Sequence, residues 1–145
     1  MPHATLLKFG FPETCVFEGN HWTLLVRPAQ VTLGSLVLCA NADARAYSEL
    51  PIEAFEEQAR LVRLIERLLR AAVDYERLNY LMLMMVDPHV HFHVLPRYQG
   101  TRGYNGHQFF DSGWPGLPDL ARSSPIPAGF VAHLKELLSG LTDGC

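Results

Sequence analysis

Three histidines alternate with apolar residues in the segment His89-Val90-His91-Phe92-His93-Val94-Leu95. Side chains of a β-strand point alternately to its two faces. A strand here would therefore carry His89, His91 and His93 on one face and apolar side chains on the other. A row of neutral imidazoles packs no better than threonine or valine would, so packing alone does not account for it. The segment predicts a chemical site.

A metal centre is one interpretation of this row. Zinc needs ligands that converge to about 2.1 Å from one point, whereas His89 and His93 are about 13 Å apart along an extended backbone. Two of the three could bind an ion together with a ligand from elsewhere, but the sequence offers no evident set of further ligands. We therefore expect no metal, and keep a metal-binding protein as an alternative.

Nucleophilic and acid–base chemistry makes better use of the row. An imidazole is a nucleophile and a proton carrier near neutral pH, and a hydrogen bond to one ring nitrogen fixes the role of the other. Phosphorus is a suitable target, because its anionic oxygens need several donors at once. No phosphate-binding loop, dinucleotide fingerprint, nucleophile elbow or zinc-protease helix competes with this interpretation.

The elements that would position the row can be predicted from periodicity. Short apolar or β-branched runs predict strands at 5–9, 15–18, 22–27, 36–40, 78–86 and 89–95. Gly19-Asn20 is a two-residue hairpin signal, and the break at Asp87-Pro88 makes the last two strands antiparallel neighbours. In the strand before that break, the methionines would be core residues.

Two helices are predicted as well. Apolar residues at steps of three, four and seven over 51–73 predict a long amphipathic helix, and a second helix follows Pro127 with Gly140 as its C-terminal cap. Between them, 99–129 is rich in Gly, Pro and aromatic residues. We expect an irregular but ordered loop there that shapes the substrate pocket.

The motif, followed by Pro96-Arg97, resembles the signature of the histidine triad (HIT) superfamily, in which three histidines alternate with apolar residues. The resemblance extends over about 22–97. It implies an α+β fold with an antiparallel sheet, one long helix and a C-terminal helix. It further implies a homodimer that binds nucleotides and acts on an α-phosphate. An apolar edge strand favours the same pairing.

The resemblance also implies roles for the three histidines. His91 would be the nucleophile that forms a nucleotidyl-histidine intermediate, His93 would contact the phosphate, and His89 would hold the row in place. Many members have a Gly-rich stretch with Gln and Ser or Thr before the motif, where this chain has Met84-Met85-Val86-Asp87-Pro88. The candidate substrate-binding residues are Arg27, which stands where an Asn is often found, and the nearby Arg97 and Gln99.

Composition limits the class of protein. The chain has 145 residues, 48% hydrophobic and 19% charged, which predicts a single folded domain over 1–145 and excludes disorder. A net charge of −3 argues against a nucleic-acid partner. No apolar run approaches the roughly 20 residues of a membrane span, so no membrane partner is expected. The absence of a secretory leader and the unpaired Cys15, Cys39 and Cys145 predict reduced thiols in the cytoplasm.

The sequence thus predicts a HIT-type nucleotide hydrolase or nucleotidyl transferase. It would use no cofactor and act on a nucleotide-type small molecule such as a dinucleoside polyphosphate or a nucleoside phosphoramidate. The alternatives are a nucleotide-binding regulatory module with little turnover, and a metal-binding protein that uses the histidine cluster.

Overall fold

Residues 2–143 are described by a computed structural model with a mixed α+β architecture. A short 3₁₀ turn at Tyr47–Glu49 precedes the long helix. The helices and strands in chain order are α1 (Ala4–Lys8), β1 (Cys15–Glu18), β2 (Trp22–Val26), β3 (Ala29–Gln30), β4 (Leu36–Ala40), α2 (Ile52–Val73), β5 (Arg77–Leu81), β6 (His91–Arg97), β7 (Thr101–Tyr104), β8 (His107–Phe110), β9 (Ser124–Pro125) and α3 (Phe130–Asp143).

Five strands form one antiparallel sheet in the order β1-β2-β4-β6-β5. The strand that carries His91 and His93, β6, is therefore an interior strand, flanked by β4 and β5. In the register between β4 and β6, Cys39 lies opposite His91 and Val37 lies opposite His93. The predicted α+β fold with an antiparallel sheet, a long helix and a C-terminal helix is confirmed.

The long helix α2 covers one face of this sheet. Its predicted span of 51–73 agrees with the observed Ile52–Val73, and it ends where Asp74 adopts a left-handed backbone conformation with φ 47°. Its apolar stripe packs on inward-facing residues of β2, β4 and β6. This main core includes Leu24, Leu36, Leu38, Ile65, Leu68 and Val94. Burial of that stripe leaves the opposite face of the sheet free for the histidines.

Glu57 of α2 holds the turn between β1 and β2. Its carboxylate is buried and accepts hydrogen bonds from the backbone N–H groups of Asn20, His21 and Trp22 at 2.8–3.0 Å. A Cβ on Gly19 would lie 2.8 Å from Oε2 of Glu57, so this position has no room for a side chain. The hairpin predicted at Gly19-Asn20 is present, and the helix fixes its position.

The second face of the sheet is covered by α1. A strand was predicted at 5–9, and that prediction is wrong. The side chain of His3 caps the helix by accepting a hydrogen bond from the Leu6 N–H at 3.3 Å. The helix places Leu6 and the following Phe9 in a small core with Leu25, Val37 and Cys39. A cap and a contact with a distant strand outweigh the local apolar pattern.

The two predicted strands around Asp87-Pro88 are shifted. Strand β5 ends at Leu81, so 82–90 connects it to β6 without strand structure, and Met85 is 88% exposed rather than in the core. The triad strand begins at His91 and not at His89. The carbonyl of His89 accepts a hydrogen bond from the ring of His91, so it is not used in strand pairing.

The C-terminal part also differs from expectation. Segment 99–129 contains the β7–β8 hairpin, whose turn uses Asn105 and Gly106, both at positive φ. Gly140 lies inside α3 and does not cap it. Cys15 and Cys39 are free thiols, and Cys145 lies outside the described residues. No helix within 2–143 is both long and apolar enough to cross a membrane.

Candidate active site

His91 lies at the centre of the sheet face that α1 covers, and it is fully buried. Its Nδ1 lies 2.7 Å from the carbonyl oxygen of His89. Because a carbonyl only accepts hydrogen bonds, Nδ1 carries the proton and Nε2 keeps its lone pair. Nε2 is buried and has no hydrogen-bond partner among the described residues. A buried, unprotonated and unpartnered ring nitrogen is suited to act as a nucleophile.

His89 is held from three sides. Its Nε2 lies 2.9 Å from Oδ1 of Asp43, its Nδ1 lies 2.8 Å from Oγ1 of Thr5, and its ring stacks on His3 with centroids 3.8 Å apart. The carboxylate requires a proton on Nε2, so Nδ1 accepts from the Thr5 hydroxyl. Burial and the neighbouring His3 lower the pKa of His89 in spite of Asp43. These contacts fix the backbone carbonyl that sets the His91 tautomer.

His93 faces a cation. Arg27 donates from Nε to Nδ1 of His93 at 3.1 Å, and its Nη1 donates to the carbonyl of Ala29. Since Nδ1 accepts a hydrogen bond, the proton of the neutral ring is on Nε2, from which it can donate to an anionic oxygen. Burial, followed by the charge of Arg27, lowers the pKa of His93 to about 4. His93 is therefore a neutral donor at physiological pH.

Phe9 closes the region around the two central histidines. The centroid of its ring lies 5.7 Å from the ring centroids of both His91 and His93, and those two imidazoles are 5.1 Å apart. Phe9 belongs to the chain just after α1 and is itself buried. The N-terminal segment thus separates Nε2 of His91 from solvent.

A cavity of about 600 Å³ opens beside His93. Most of its surface is apolar, with two cations and one carboxylate. Lys8 Nζ and Asp87 Oδ1 form an ion pair at 2.6 Å, which joins α1 to the segment before the triad. The lining residues are Lys8, Phe9, Arg27, Pro28, Ala29, Leu83, Met85, Val86, Asp87 and His93. Its size and mixed lining are those of a small-molecule site.

The structure brings together four of the six candidate residues. His89, His91 and His93 share one side of the sheet, and Arg27 lines the cavity with His93. Arg97 is elsewhere: it is buried, and its guanidinium donates to Asp111, Asn79 and the carbonyl of Gly116.

The side chain of Gln99 is exposed and does not line this cavity. The substrate contacts predicted for Arg97 and Gln99 therefore have no geometric support. Segment 99–129 does not line this cavity either. It contributes to a separate, more polar cavity of about 400 Å³ that includes Gln108 and Arg122.

Four further residues surround the triad that no sequence pattern predicted: His3, Thr5, Phe9 and Asp43. Each reaches the triad from a segment remote in sequence, and none belongs to a spaced motif. The cap formed by His3 and the burial of Leu6 and Phe9 define α1 only in the folded structure. Nothing in the sequence pairs Asp43 with His89. Within 2–143, no three His, Cys, Asp or Glu residues are grouped so as to hold a metal ion.

Comparison with solved structures identifies the fold. A histidine triad protein from Sinorhizobium meliloti superimposes with a TM-score of 0.74 at 18% identity, over 97% of this chain and 95% of that one. The chain has the histidine triad fold. The resemblance predicted from the motif is confirmed at the level of the fold, and His91 and His93 of the triad lie on the interior strand β6 of that sheet.

Two further structures with the histidine triad fold agree. A hypothetical histidine triad nucleotide-binding protein from Sulfolobus tokodaii gives a TM-score of 0.69 at 16% identity, covering 97% of this chain and 90% of that one. A zinc-bound histidine triad family protein from Mycobacterium smegmatis gives a TM-score of 0.67 at 17% identity, covering 97% of this chain and 94% of that one. No protein-family model and no curated protein matches the sequence.

Proposed function

We propose that this protein is a HIT-type nucleotide hydrolase or nucleotidyl transferase that acts at an α-phosphate through a nucleotide bound covalently to His91. The observation that carries the proposal is the state of the neutral His91 ring: Nδ1–H donates to the carbonyl of His89, and Nε2 is buried with a free lone pair. The description of the Sulfolobus tokodaii protein as nucleotide-binding supports the same substrate class.

The reaction divides into two displacements. Nε2 of His91 attacks the α-phosphorus, a Nε2–P bond forms, and the bond from phosphorus to the leaving group breaks. Water, or another acceptor in a transferase, then attacks the same phosphorus and releases the nucleotide from His91. In both steps the transferring group bears negative charge, and groups aimed at that charge lower the barrier.

The neighbours of His91 are suited to this charge. His93 offers its Nε2 proton to a phosphoryl oxygen, while Arg27 places a cation behind it. His89 does not need to touch the substrate, since its carbonyl acts through Nδ1 of His91. The apolar side chains of the cavity provide a surface for a nucleoside base.

We also propose that the protein is a homodimer. Strand β5 forms one edge of the five-stranded sheet, and an open edge presents unpaired backbone groups to a second copy. Light scattering on the purified chain should give twice the 16.3 kDa of one chain. A mass of one chain at all concentrations contradicts this part of the proposal. The cytoplasmic location stays a prediction.

Rapid acid quenching tests the catalytic proposal. The protein is mixed with a nucleoside phosphoramidate and with a dinucleoside polyphosphate, each labelled at the α-phosphorus, and the label on the protein is mapped. We expect label on His91 and none in His91→Ala, with His107→Ala as the matched control because His107 is an exposed histidine of β8. Turnover that survives His91→Ala would overturn the proposal.

The alternatives give different results in the same preparation. Tight nucleotide binding without release of nucleoside monophosphate supports a regulatory module. One equivalent of zinc that co-purifies, with activity lost on chelation, supports the metal-binding alternative. The described residues do not offer a three-ligand group for that ion.

A further inference from the structure

A second cavity, of about 400 Å³, lies apart from the triad. Three segments bound it: β3 with the following Val31, β8 with the nearby Ser112, and 121–124, which leads into β9. Gln30, Val31 and Phe109 are the buried residues of its wall. Its volume lies within the range of small-molecule sites in proteins. The cavity is therefore large enough to hold a ligand of its own.

The strand β3 separates this second cavity from the cavity beside His93. Ala29 lines the cavity beside His93, and the next residue, Gln30, lines the second cavity. Adjacent residues of a strand point to opposite faces, and none of the described residues lines both cavities. The side-chain amide of Gln30 donates to the carbonyl oxygens of Arg27 and Ser35 at 2.7 and 2.8 Å, so it holds this wall in place. The second cavity is a separate site and not an extension of the first.

Four polar side chains of the second cavity are not used by the fold. They belong to Gln108, Arg122, Ser123 and Ser124. Within 2–143, none of these side chains has a hydrogen-bond or ion-pair partner. All four residues are exposed, so water solvates them in the free protein. A ligand can replace that water without breaking any contact within the described chain.

Arg122 sets the charge of the second cavity. It is the only charged residue among the described residues that line it. Two carboxylates precede it in the chain, but Asp119 accepts a hydrogen bond from Ser112 at 3.3 Å, Asp111 is paired with Arg97, and neither lines the cavity. A guanidinium surrounded by hydroxyl and amide donors favours an anionic oxygen group. The lining therefore selects an anion over a cation.

Phe110 adds an aromatic surface to the same cavity. Its side chain is 59% exposed, whereas the adjacent Phe109 is buried. Aromatic rings gain free energy when they stack with an offset or edge to face, in addition to the apolar area that they bury. A ring that packs on Phe110 would remove its exposed face from water. The lining thus combines one cation with one open aromatic face.

We propose that the second cavity binds a small molecule that has an anionic group and an aromatic ring. Arg122, with the hydroxyls of Ser123 and Ser124 and the amide of Gln108, holds the anionic group, and the ring packs on Phe110. The site goes beyond the proposed function and does not depend on it, since no histidine of the triad lines this cavity.

Titration of the full chain with phenyl phosphate, followed by backbone amide NMR shifts, tests the site. We expect the amides of Gln108, Ser123 and Ser124 to shift along one binding curve, with a dissociation constant of about 1–10 mM for a ligand of this size. Benzyl alcohol and benzylamine carry the ring without an anion. They should bind at least about 10-fold more weakly, because they lose the contact with the guanidinium.

Four variants assign the binding to named side chains. Arg122→Met should weaken binding of phenyl phosphate by about 10-fold or more, and Phe110→Ser by about 3- to 10-fold. Arg60→Met is the matched control, since Arg60 is an exposed arginine of α2 that does not line this cavity. Arg27→Met removes the cation of the cavity beside His93 and should leave this binding curve unchanged. Arg122 and Phe110 are exposed, so the fold should tolerate both substitutions.

Several results would overturn the proposal. One is the absence of shifts at Gln108, Ser123 and Ser124 with phenyl phosphate at about 20 mM, which exceeds the dissociation constant expected for its size. Equal binding of phenyl phosphate and benzyl alcohol would reject an anionic ligand. Equal binding by Arg122→Met and Arg60→Met would reject the role of Arg122. Loss of the shifts in Arg27→Met would assign the binding to the other cavity.

Discussion

Arg27 donates from Nε to Nδ1 of His93 across 3.1 Å, so a cation is held against a neutral imidazole in the wall of the cavity. The contact occupies the lone pair of Nδ1 and keeps the proton of the neutral ring on Nε2. Burial and this cation together lower the pKa of His93 to about 4. The arrangement keeps His93 in one protonation state over the pH range in which histidines ordinarily titrate.

Arg27→Met should therefore move the titration of His93 upward. Without the guanidinium, the pKa of His93 rises from about 4 towards its ordinary 6.5. In the parent protein His93 should cause no loss of kcat/KM between pH 8 and pH 5, whereas the variant should show a break inside that range. NMR titration of the His93 ring together with a pH–rate profile measures this. An unchanged His93 titration in Arg27→Met contradicts the assignment.

The low pKa of His93 also predicts how stability depends on pH. Below about pH 6.5 the unfolded chain protonates this histidine, while the folded protein does so only near pH 4. The unfolded state binds more protons in this window, so the free energy of unfolding falls as pH decreases from 6.5 to 4. Urea unfolding of the parent and of His93→Gln should show a smaller decrease in the variant. Equal slopes would rule out a contribution from His93.

Asp43 should act through His89 although it is 73% exposed. Asp43→Ala removes the acceptor for Nε2 of His89 and frees the ring to change tautomer, whereas Asp43→Asn keeps an oxygen in place. Hydrogen-bond partners that orient metal-bound histidines change activity by about 10–100-fold. By analogy with those partners, we expect Asp43→Ala to lower kcat by about 10-fold with little change in KM. Nitrogen NMR shifts of the His89 ring report its tautomer. An unchanged tautomer and an unchanged kcat in Asp43→Ala would show that Asp43 does not act through His89.

Substitution of each of the three histidines should lower the single-turnover rate by a different factor. His91→Ala removes the nucleophile, and His93→Ala removes one donor to the transferring group, a change that typically costs about 10²- to 10³-fold. His89→Ala should cost least, because its carbonyl remains. Single-turnover rates at saturating substrate measure the order. A larger loss of single-turnover rate in His93→Ala than in His91→Ala would contradict the assignment of His91 as the nucleophile.

Arg97 and Asp111 should determine stability rather than substrate use. The pair is buried and bidentate, with Nη2 of Arg97 3.1 Å from Oδ1 of Asp111. Asp111→Ala leaves a buried cation without its carboxylate and should lower the free energy of unfolding by about 3–5 kcal/mol. The double variant Arg97→Met, Asp111→Leu should recover part of this loss. If that stable double variant lost turnover, Arg97 would have to contact the substrate after all.

The sequence by itself determined the triad and the main elements around it. The alternation of His89, His91 and His93 with apolar residues sets two faces for a strand, because strand geometry has a period of two. The steps of three and four over 51–73 similarly specify α2, whose apolar stripe is long enough to be unambiguous. These features depend on local geometry, and the resemblance of the motif to the histidine triad signature implied the fold.

Only the tertiary structure decided which groups surround the triad. Thr5 and Asp43 meet His89, and Arg27 meets His93, across 84, 46 and 66 positions of sequence, and no spacing rule encodes such contacts. The same holds for Arg97, which follows the motif directly yet is held by Asp111 of a later segment. A five-residue helix such as α1 has too few residues for a periodic signal, so its cap at His3 and its burial against the sheet decide its structure.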